Sequence, residues 1–509
     1  MARLTIDGAL RFWAVDRADQ RAIWISGESL TYRELDIWVD RVAIHLAERG
    51  LRPGDRIAFY ADTSLEWCVS AFAAMRCGGI VAPLNSRMVS SEVTYLIGNY
   101  EPALIFLDAV GSEKLADTDE VAGRKQLTPE TVATLRTNDD ERGHRRGEFP
   151  EVDPDAPCAI ITTSGSTARP KGVVYSSRAM VEYALEEVIH DGPDLGTSPP
   201  RLLTTSPLST AGGFNLTVHM VVVGGTVFLP RRFDPGEALE LLSREEINVF
   251  RSAPVFFQRI AEHPDFKKCN LSSVKIATIG GAPPPPGLLE AWAGRGVVLR
   301  QLYGQTEVGG SATVNPAAHA LSDPDRCGYG GPFTEIAVID DEGRPLPSNE
   351  PGQIVVRKPG MMLGYWRNEE ATTQTIVDGW ARTGDVGVID ERGLLKMLFR
   401  MKDVIKSGGL NISAAEVEAV MLRAPGVKEA AIIGVPDAKY GETPLAVVFG
   451  DSINIKVLMD HCRTHLSSYK LPTYVEVWPE PLPRLAMGKI SKPELRRLIG
   501  GQPLPPRVR

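Results

Sequence analysis

Cysteine is scarce in this chain: six among 509 residues, at Cys68, Cys77, Cys158, Cys269, Cys327 and Cys462, with no Cys-x-x-Cys spacing. A disulfide-stapled scaffold and a cysteine zinc cluster are thereby disfavoured, and reduced, buried thiols fit best. The eight histidines form no ligand spacing, which argues against structural zinc. Positive charge is also short. A formal net charge of −8 leaves no basic excess for counterion release, so no nucleic-acid partner is expected. A local basic patch for a polyanionic ligand stays compatible with it. Long apolar runs are missing too. The longest, around Met220 to Leu229, is too short and too glycine-rich to span a bilayer, so no membrane span is expected. The opening Met-Ala-Arg-Leu-Thr-Ile-Asp lacks the apolar core of a signal peptide. The expectation is a cytoplasmic protein.

What is present is an ordinary globular composition, 43% hydrophobic and 24% charged, over a length that calls for several domains. Helix and strand patterns alternate from Leu30. Thr31 and Glu34 spell a Thr-x-x-Glu capping box, with Leu35, Trp38, Val39, Val42 and Leu46 on one helix face behind it. Ile57 to Tyr60, Ile80 to Leu84 and Ala103 to Asp108 read as strands, and Ser64 to Arg76 as a helix. That alternation predicts a largely parallel sheet covered on both faces. From about Val110 to Ala156 the chain turns polar and reads as a solvated insertion or linker. Val221 to Leu229, Val249 to Ala253 and Val274 to Ile279 are predicted strands, and Val355 to Phe399 a β-rich subdomain. Beyond Arg400 the register changes. Ser413 and Glu416 predict a second capping box, and Val457, Leu458, His461, Cys462, His465 and Leu466 a helix face. The expected fold class is α/β: a large N-terminal domain of parallel sheets wrapped by helices plus a β-rich subdomain, with a small α+β C-terminal domain.

Five short stretches carry chemistry. The apolar strand Cys158 to Thr163 runs into Thr163, Ser164, Gly165, Ser166 and Thr167, then Lys171. Small residues let backbone N–H groups approach phosphate oxygens, hydroxyls add donors, and Lys171 adds charge. Any Ser/Thr/Gly surface turn has the same composition. Pro170 and Gly172 flank Lys171, so this is no Walker A loop. Gln301 to Glu307 offers a tyrosine that can stack on a flat base and, in Glu307, a hard oxygen ligand suited to Mg²⁺; an acid in a helix's first turn reads the same way. Asp385, after Thr383-Gly384, can accept two hydrogen bonds from the vicinal hydroxyls of a ribose, or occupy a plain turn. Lys402 to Gly409 reads as a hinge with a glycine loop, or as a solvated linker. Lys489 stands on the glycine-bearing loop Pro483 to Ile490, where a lysine is usually just solvated.

In this order the five stretches resemble the signatures of the adenylate-forming superfamily, which holds acyl- and aryl-CoA synthetases, peptide-synthetase adenylation domains and beetle luciferases. The resemblance spans nearly the whole chain and points to the acyl-/aryl-CoA synthetase branch. It implies an adenylation core over 1–399, a hinge at 400–402 pivoting on Lys402, and a mobile C-terminal domain over 403–509. It implies ATP held by Thr163, Ser164, Gly165, Ser166, Thr167 and Lys171. Gly281, Ala282 and Pro283 would form the adenine-pocket turn, and Tyr303, beside Gly304, would stack on adenine. Thr306 would meet the α-phosphate, Asp385 the ribose, Arg400 the ribose or a phosphate, and Thr163 with Glu307 would hold Mg²⁺. Lys489, with Lys171, would meet the charge that develops as a carboxylate attacks the α-phosphate. Gly408 and Gly409 would lie along the thiol channel. The acid would lie among Phe214, Asn215, Phe256, Gly280, Gly304 and Gly309, and a neutral Asn215 would favour acids without an α-amine. Ala168 stands where the family has glycine, Ser209 and Thr210 where it has an aromatic residue and a histidine, and Phe399 where it has glycine.

The reaction so implied is ATP- and Mg²⁺-dependent ligation of a small-molecule carboxylic acid to a thiol, coenzyme A in the first instance, through acyl-AMP. An adenylation enzyme loading a separate carrier protein, a luciferase-type oxygenase and a non-catalytic nucleotide-binding scaffold are the rivals. A homodimer is left open.

Overall fold

The computed structural model describes residues 4–116, 118–136, 148–163, 170–285, 287–407, 410–484, 489–500 and 502–508. Among them the chain builds four sheets. In the first, Arg56–Tyr60, Ile80–Pro83, Leu104–Leu107 and Pro157–Thr163 run parallel. Their Ile, Val, Phe and Leu side chains are buried, as a sheet covered on both faces requires. Lys171–Ser176 folds back antiparallel on Pro157–Thr163, placing Lys171 opposite Thr163. In the second sheet, Arg21–Ile25, Thr226–Phe228, Arg201–Thr204, Val249–Ser252, Ile276–Gly280 and Leu299–Tyr303 are parallel neighbours in that order. One buried cluster joins both sheets to the helices Ile6–Asp16, Tyr32–Glu48, Leu65–Arg76 and Ala211–Val222. Inside it Arg76, with no exposed side-chain surface, binds Asp7 at 2.5 Å, Asp36 at 2.5 Å and Asp40 at 3.0 Å.

The third sheet is antiparallel and holds Glu335–Ile339, Gly352–Arg357, Trp380–Ile389 and Leu395–Arg400, with Asp385 opposite Arg400. Met401–Asp403 is a single 3₁₀ turn leading to Val404–Ser407, the first strand of the fourth sheet. There Val427–Asp437 and Gly441–Gly450 form a long hairpin, and Tyr474–Val477 adds in parallel. From Ile405 onward the buried residues form clusters of their own.

Some sequence expectations need correction. The Thr31 box is complete: its hydroxyl accepts the Glu34 N–H at 3.2 Å and the Glu34 carboxylate accepts the Thr31 N–H at 2.8 Å. At Ser413 only half forms, because the Glu416 carboxylate takes Lys470 at 2.6 Å instead. Val221 and Val222 extend the Ala211–Val222 helix, and the strand is only Thr226–Phe228. An unbroken apolar run has no period to separate the two. Part of the polar stretch after Val110 is structured rather than solvated linker. Lys125–Leu127 adds a parallel edge strand beside Leu104–Leu107. The Pro129–Thr134 helix buries Val132, whose carbonyl accepts from Trp38 Nε1 at 3.0 Å. Residues 137–147 lie outside the described residues. The Ile455–His465 helix buries Leu458, Met459 and Cys462 while Val457 and His465 face solvent. No described helix is long and apolar enough to cross a membrane.

Candidate active site

Thr163, Gly280 and Tyr303 each end a parallel strand. Crevices beyond the carboxyl ends of such strands are where open α/β sheets bind ligands. At the first of these ends the Thr163 hydroxyl donates to the Lys171 carbonyl at 3.4 Å. Ser164, Gly165, Ser166 and Thr167, between them, lie outside the described residues. Lys171 Nζ stands 4.8 Å from the centre of the Tyr365 ring, whose hydroxyl donates to Glu307 Oε1 at 2.9 Å. Tyr365 reaches this place because Gly364–Tyr365 pairs antiparallel with Val173 and Val174, just beyond Lys171. Burial first, and then the Glu307 charge, push the Tyr365 phenol above its usual range, so it stays a donor. Tyr175 donates to the carbonyl of Thr306 and so fixes the residue before Glu307.

Asp385 is 2% exposed and gathers donors from two directions. Its Oδ2 accepts from Tyr303 Oη at 2.9 Å and from Gln305 Nε2 at 2.6 Å. Its Oδ1 lies 3.1 Å from Arg400 Nε, across the antiparallel pair. The residues expected to bind nucleotide, from three distant stretches, are therefore one connected set: Asp385 to Tyr303 and Gln305, then through the backbone to Thr306 and Glu307, then through Tyr365 to Lys171 and Thr163.

Gly281 has φ +86°, and a Cβ placed on it would lie 3.2 Å from Lys489 Cε and 4.0 Å from its Nζ. The lysine of the C-terminal unit thus packs on the turn that Ala282 and Pro283 continue. Gly304 leaves no room for a side chain, since its Cβ would stand 1.8 Å from the Gly310 carbonyl oxygen. Asn215, 2% exposed, donates from Nδ2 to the Gly309 carbonyl at 3.1 Å. Gly280 pairs with Leu302, on the strand leading to Gly304. Phe214 packs edge-on to Trp67 and Phe256 edge-on to Phe233. Lys402 falls in the Met401–Asp403 turn, and Gly408 and Gly409 lie outside the described residues.

Among the described residues no three His, Cys, Asp or Glu stand together as a metal-holding group. A lone Glu307 beside hydroxyl and lysine groups fits Mg²⁺, which keeps its waters and takes one or two carboxylates plus substrate phosphates. Sequence reading overlooked Gln305, Tyr175 and Tyr365, which do the connecting. Gln305 sits at the variable place of its motif, and Tyr365 is marked only by a glycine–aromatic run at Gly364-Tyr365-Trp366.

Residues 10–366 match the family model of the AMP-binding enzyme, and 416–489 that of the AMP-binding enzyme C-terminal domain. The chain belongs to the AMP-binding enzyme family. It is 35% identical over 496 residues to a feruloyl-CoA synthase of Amycolatopsis sp, covering 96% of this chain and 98% of that one. It aligns with ATP-bound MatB from Rhodopseudomonas palustris at TM-score 0.85 and 29% identity, over 98% of this chain and 99% of that one. Against the apo form of MatB the coverage and identity are the same and the TM-score is 0.74. With o-succinylbenzoate CoA synthetase from Bacillus subtilis, in complex with its acyl-adenylate, the TM-score is 0.85 at 26% identity over 96% and 97%.

Proposed function

We infer that both halves of an acid–thiol ligation run at this one site. The chain is an ATP-dependent acyl-CoA synthetase. A carboxylate oxygen of the acid attacks the α-phosphorus of ATP, the bond to the bridging oxygen breaks, and pyrophosphate leaves. The sulfur of coenzyme A then attacks the acyl carbon, loses its proton to solvent, and AMP leaves with the electron pair.

The single observation that carries the residue roles is Lys489 packed on Gly281, beside the connected set of Asp385, Tyr303, Glu307 and Lys171. In this reading Asp385 receives the ribose hydroxyls. Its carboxylate has about four acceptor sites and three are in use, so a diol that needs two displaces one donor. Arg400, 36% exposed, is the one with room to swing away. Tyr303 presents its ring to adenine, with Gly281, Ala282 and Pro283 as the facing turn. Thr306 meets the α-phosphate, Lys171 holds the outer phosphates together with Thr163 to Thr167, and Glu307 with Thr163 holds Mg²⁺, which when bound neutralises phosphate charge. Lys489 offsets the charge gained at the α-phosphate in the transition state. Rotation about Lys402 then withdraws Lys489 and brings Gly408 and Gly409 to the thiol path, so that one pocket serves both steps. The gap between TM-scores of 0.85 and 0.74 for one protein with and without ATP supports this. The same sequence is compared each time, so the difference lies in how its parts are arranged, and the present arrangement is the nearer to the ATP-bound one.

The test is ATP–pyrophosphate exchange with a panel of carboxylic acids, followed by addition of coenzyme A or a carrier protein bearing a pantetheine thiol. The expected result is acid-dependent exchange, then a coenzyme A thioester and AMP. Release of ADP, or an acyl-AMP that passes to neither thiol, would overturn the reading.

A further inference from the structure

The turn that carries Glu307 is tied down by a buried lysine. Thr306–Val308 is a single 3₁₀ turn, and the chain then returns beside Tyr303 through Gly309 and Gly310, at φ +88° and +132°. Two successive glycines in this backbone region leave the return loose unless something outside holds it. Two side chains do so at Ser311. Its N–H donates to Tyr183 Oη at 2.9 Å, and its carbonyl accepts from Lys358 Nζ at 2.7 Å. The other end of the turn is held by residues that follow Lys358 closely. The Met362 N–H donates to the Glu307 carbonyl at 3.0 Å, and Tyr365 Oη donates to the Glu307 carboxylate at 2.9 Å. Gly360, at φ +80°, lets the chain between them cross Tyr183, where a Cβ would collide with that side chain. Residues 358–365 thus grasp the Glu307 turn at both ends.

A lysine is a costly side chain to bury for one of these contacts. That of Lys358 is 3% exposed, and that of its counter-ion Glu186, on the Ser177–Leu195 helix, is 4% exposed, with 3.3 Å between Nζ and Oε2. Nζ also stands 3.9 Å from the centre of the Tyr183 ring. The ammonium has three donors and meets three neighbours: one carbonyl, one carboxylate and one ring face. Glu186 is pinned in turn, its Oε1 accepting from the Thr334 hydroxyl at 2.6 Å and from the Phe333 N–H at 3.3 Å. Apolar side chains of similar volume in place of this ion pair would fill the same space without the desolvation penalty. What they could not do is donate to the Ser311 carbonyl.

We propose that Lys358 is a positioning residue for the adenylation step: its bond to the Ser311 carbonyl, anchored on Glu186, fixes the turn that aims Glu307 at the triphosphate. The proposal rests on the role given to Glu307 at Mg²⁺ under the proposed function. The test uses the full chain with Lys358→Met, and with Lys358→Met and Glu186→Gln together, where no carboxylate is left without its cation. ATP and AMP binding are measured by calorimetry, each with Mg²⁺ and with EDTA. Wild type is expected to bind ATP more tightly with Mg²⁺. In both variants that gain should disappear, while AMP affinity changes by no more than about twofold. The Mg²⁺ concentration for half-maximal pyrophosphate exchange should rise about tenfold or more, as when other residues that orient a metal ligand are removed. Thioester formation from supplied acyl-AMP and coenzyme A should stay within about twofold of wild type. The double variant is expected to regain the melting temperature that Lys358→Met loses and to keep the Mg²⁺ defect, which separates positioning from folding. If the single variant does not fold, the double variant carries the comparison. A double variant with the wild-type Mg²⁺ requirement, or an equal loss of AMP binding and of thioester formation, overturns the proposal. Wild-type exchange that needs no Mg²⁺ overturns the Glu307 role itself, and this proposal with it.

Discussion

Asp385 shows how much one side chain is asked to do. Three donors converge on it, so under the proposed function removing one acceptor oxygen sets them in competition with the ribose. Asp385→Asn is expected to weaken ATP binding about tenfold or more, read by titration, with the melting temperature little changed. His219 gives a pH-dependent prediction. Burial, offset only partly by Glu187 and reinforced by Arg251 and Lys358, lowers its pKa below the ordinary 6.5. The unfolded chain therefore takes up this proton first, and the fold loses stability as pH falls through that value. In His219→Gln the contribution is gone. Its stability in urea should fall less steeply than that of wild type between about pH 7 and pH 5, and parallel slopes would speak against a neutral, buried imidazole. At this scale the sequence was readable where chemistry is local. Thr163, Lys171, Glu307, Asp385 and Lys489 each stand in a short recognisable run. Gln305 and Tyr365 were not readable, because their meaning is a partner far along the chain: Asp385 for one, Glu307 and Lys171 for the other.

Elements succeed or fail by the same division. The Tyr32–Glu48 helix was legible because its cap and its buried face lie within its own residues. Thr31→Ala should cost about 1 kcal/mol, measured by urea unfolding. The cap at Ser413 was half wrong because Lys470, on another element, outbids the backbone for Glu416. Arg76 is the stronger case. By pattern it is a basic residue in the last turn of the Leu65–Arg76 helix, which would normally face water. It is buried because Asp7 comes from one helix and Asp36 and Asp40 from another, so one guanidinium holds three helices together. Arg76→Ala leaves Asp7 and Asp40 with only the half-buried Arg11, 2.7 Å from Asp7 and 3.6 Å from Asp40, and Asp36 with no cation of the cluster, and should cost about 3 kcal/mol. A loss within 1 kcal/mol would show the cluster to be solvated.

Over the whole molecule, alternating patterns announced the parallel sheets, and the short strands after Val355 announced a β-rich subdomain, whose antiparallel sheet begins earlier, at Glu335–Ile339. The pairing order of the strands was not accessible, since a parallel neighbour is chosen by crossovers rather than by any local signal. Nor was the meeting of Lys489 with Gly281, which depends on where a separately packed C-terminal unit comes to rest. The proposed function rests on that meeting: in it, a cation on one unit completes a site built by the other, and its departure switches the half-reaction. The most direct measurement is therefore Lys489→Ala followed through the two half-reactions separately. ATP–pyrophosphate exchange should fall by about a hundredfold or more, while thioester formation from supplied acyl-AMP and coenzyme A stays near the wild-type rate. Equal loss in both steps, or exchange that survives the substitution, would contradict the account.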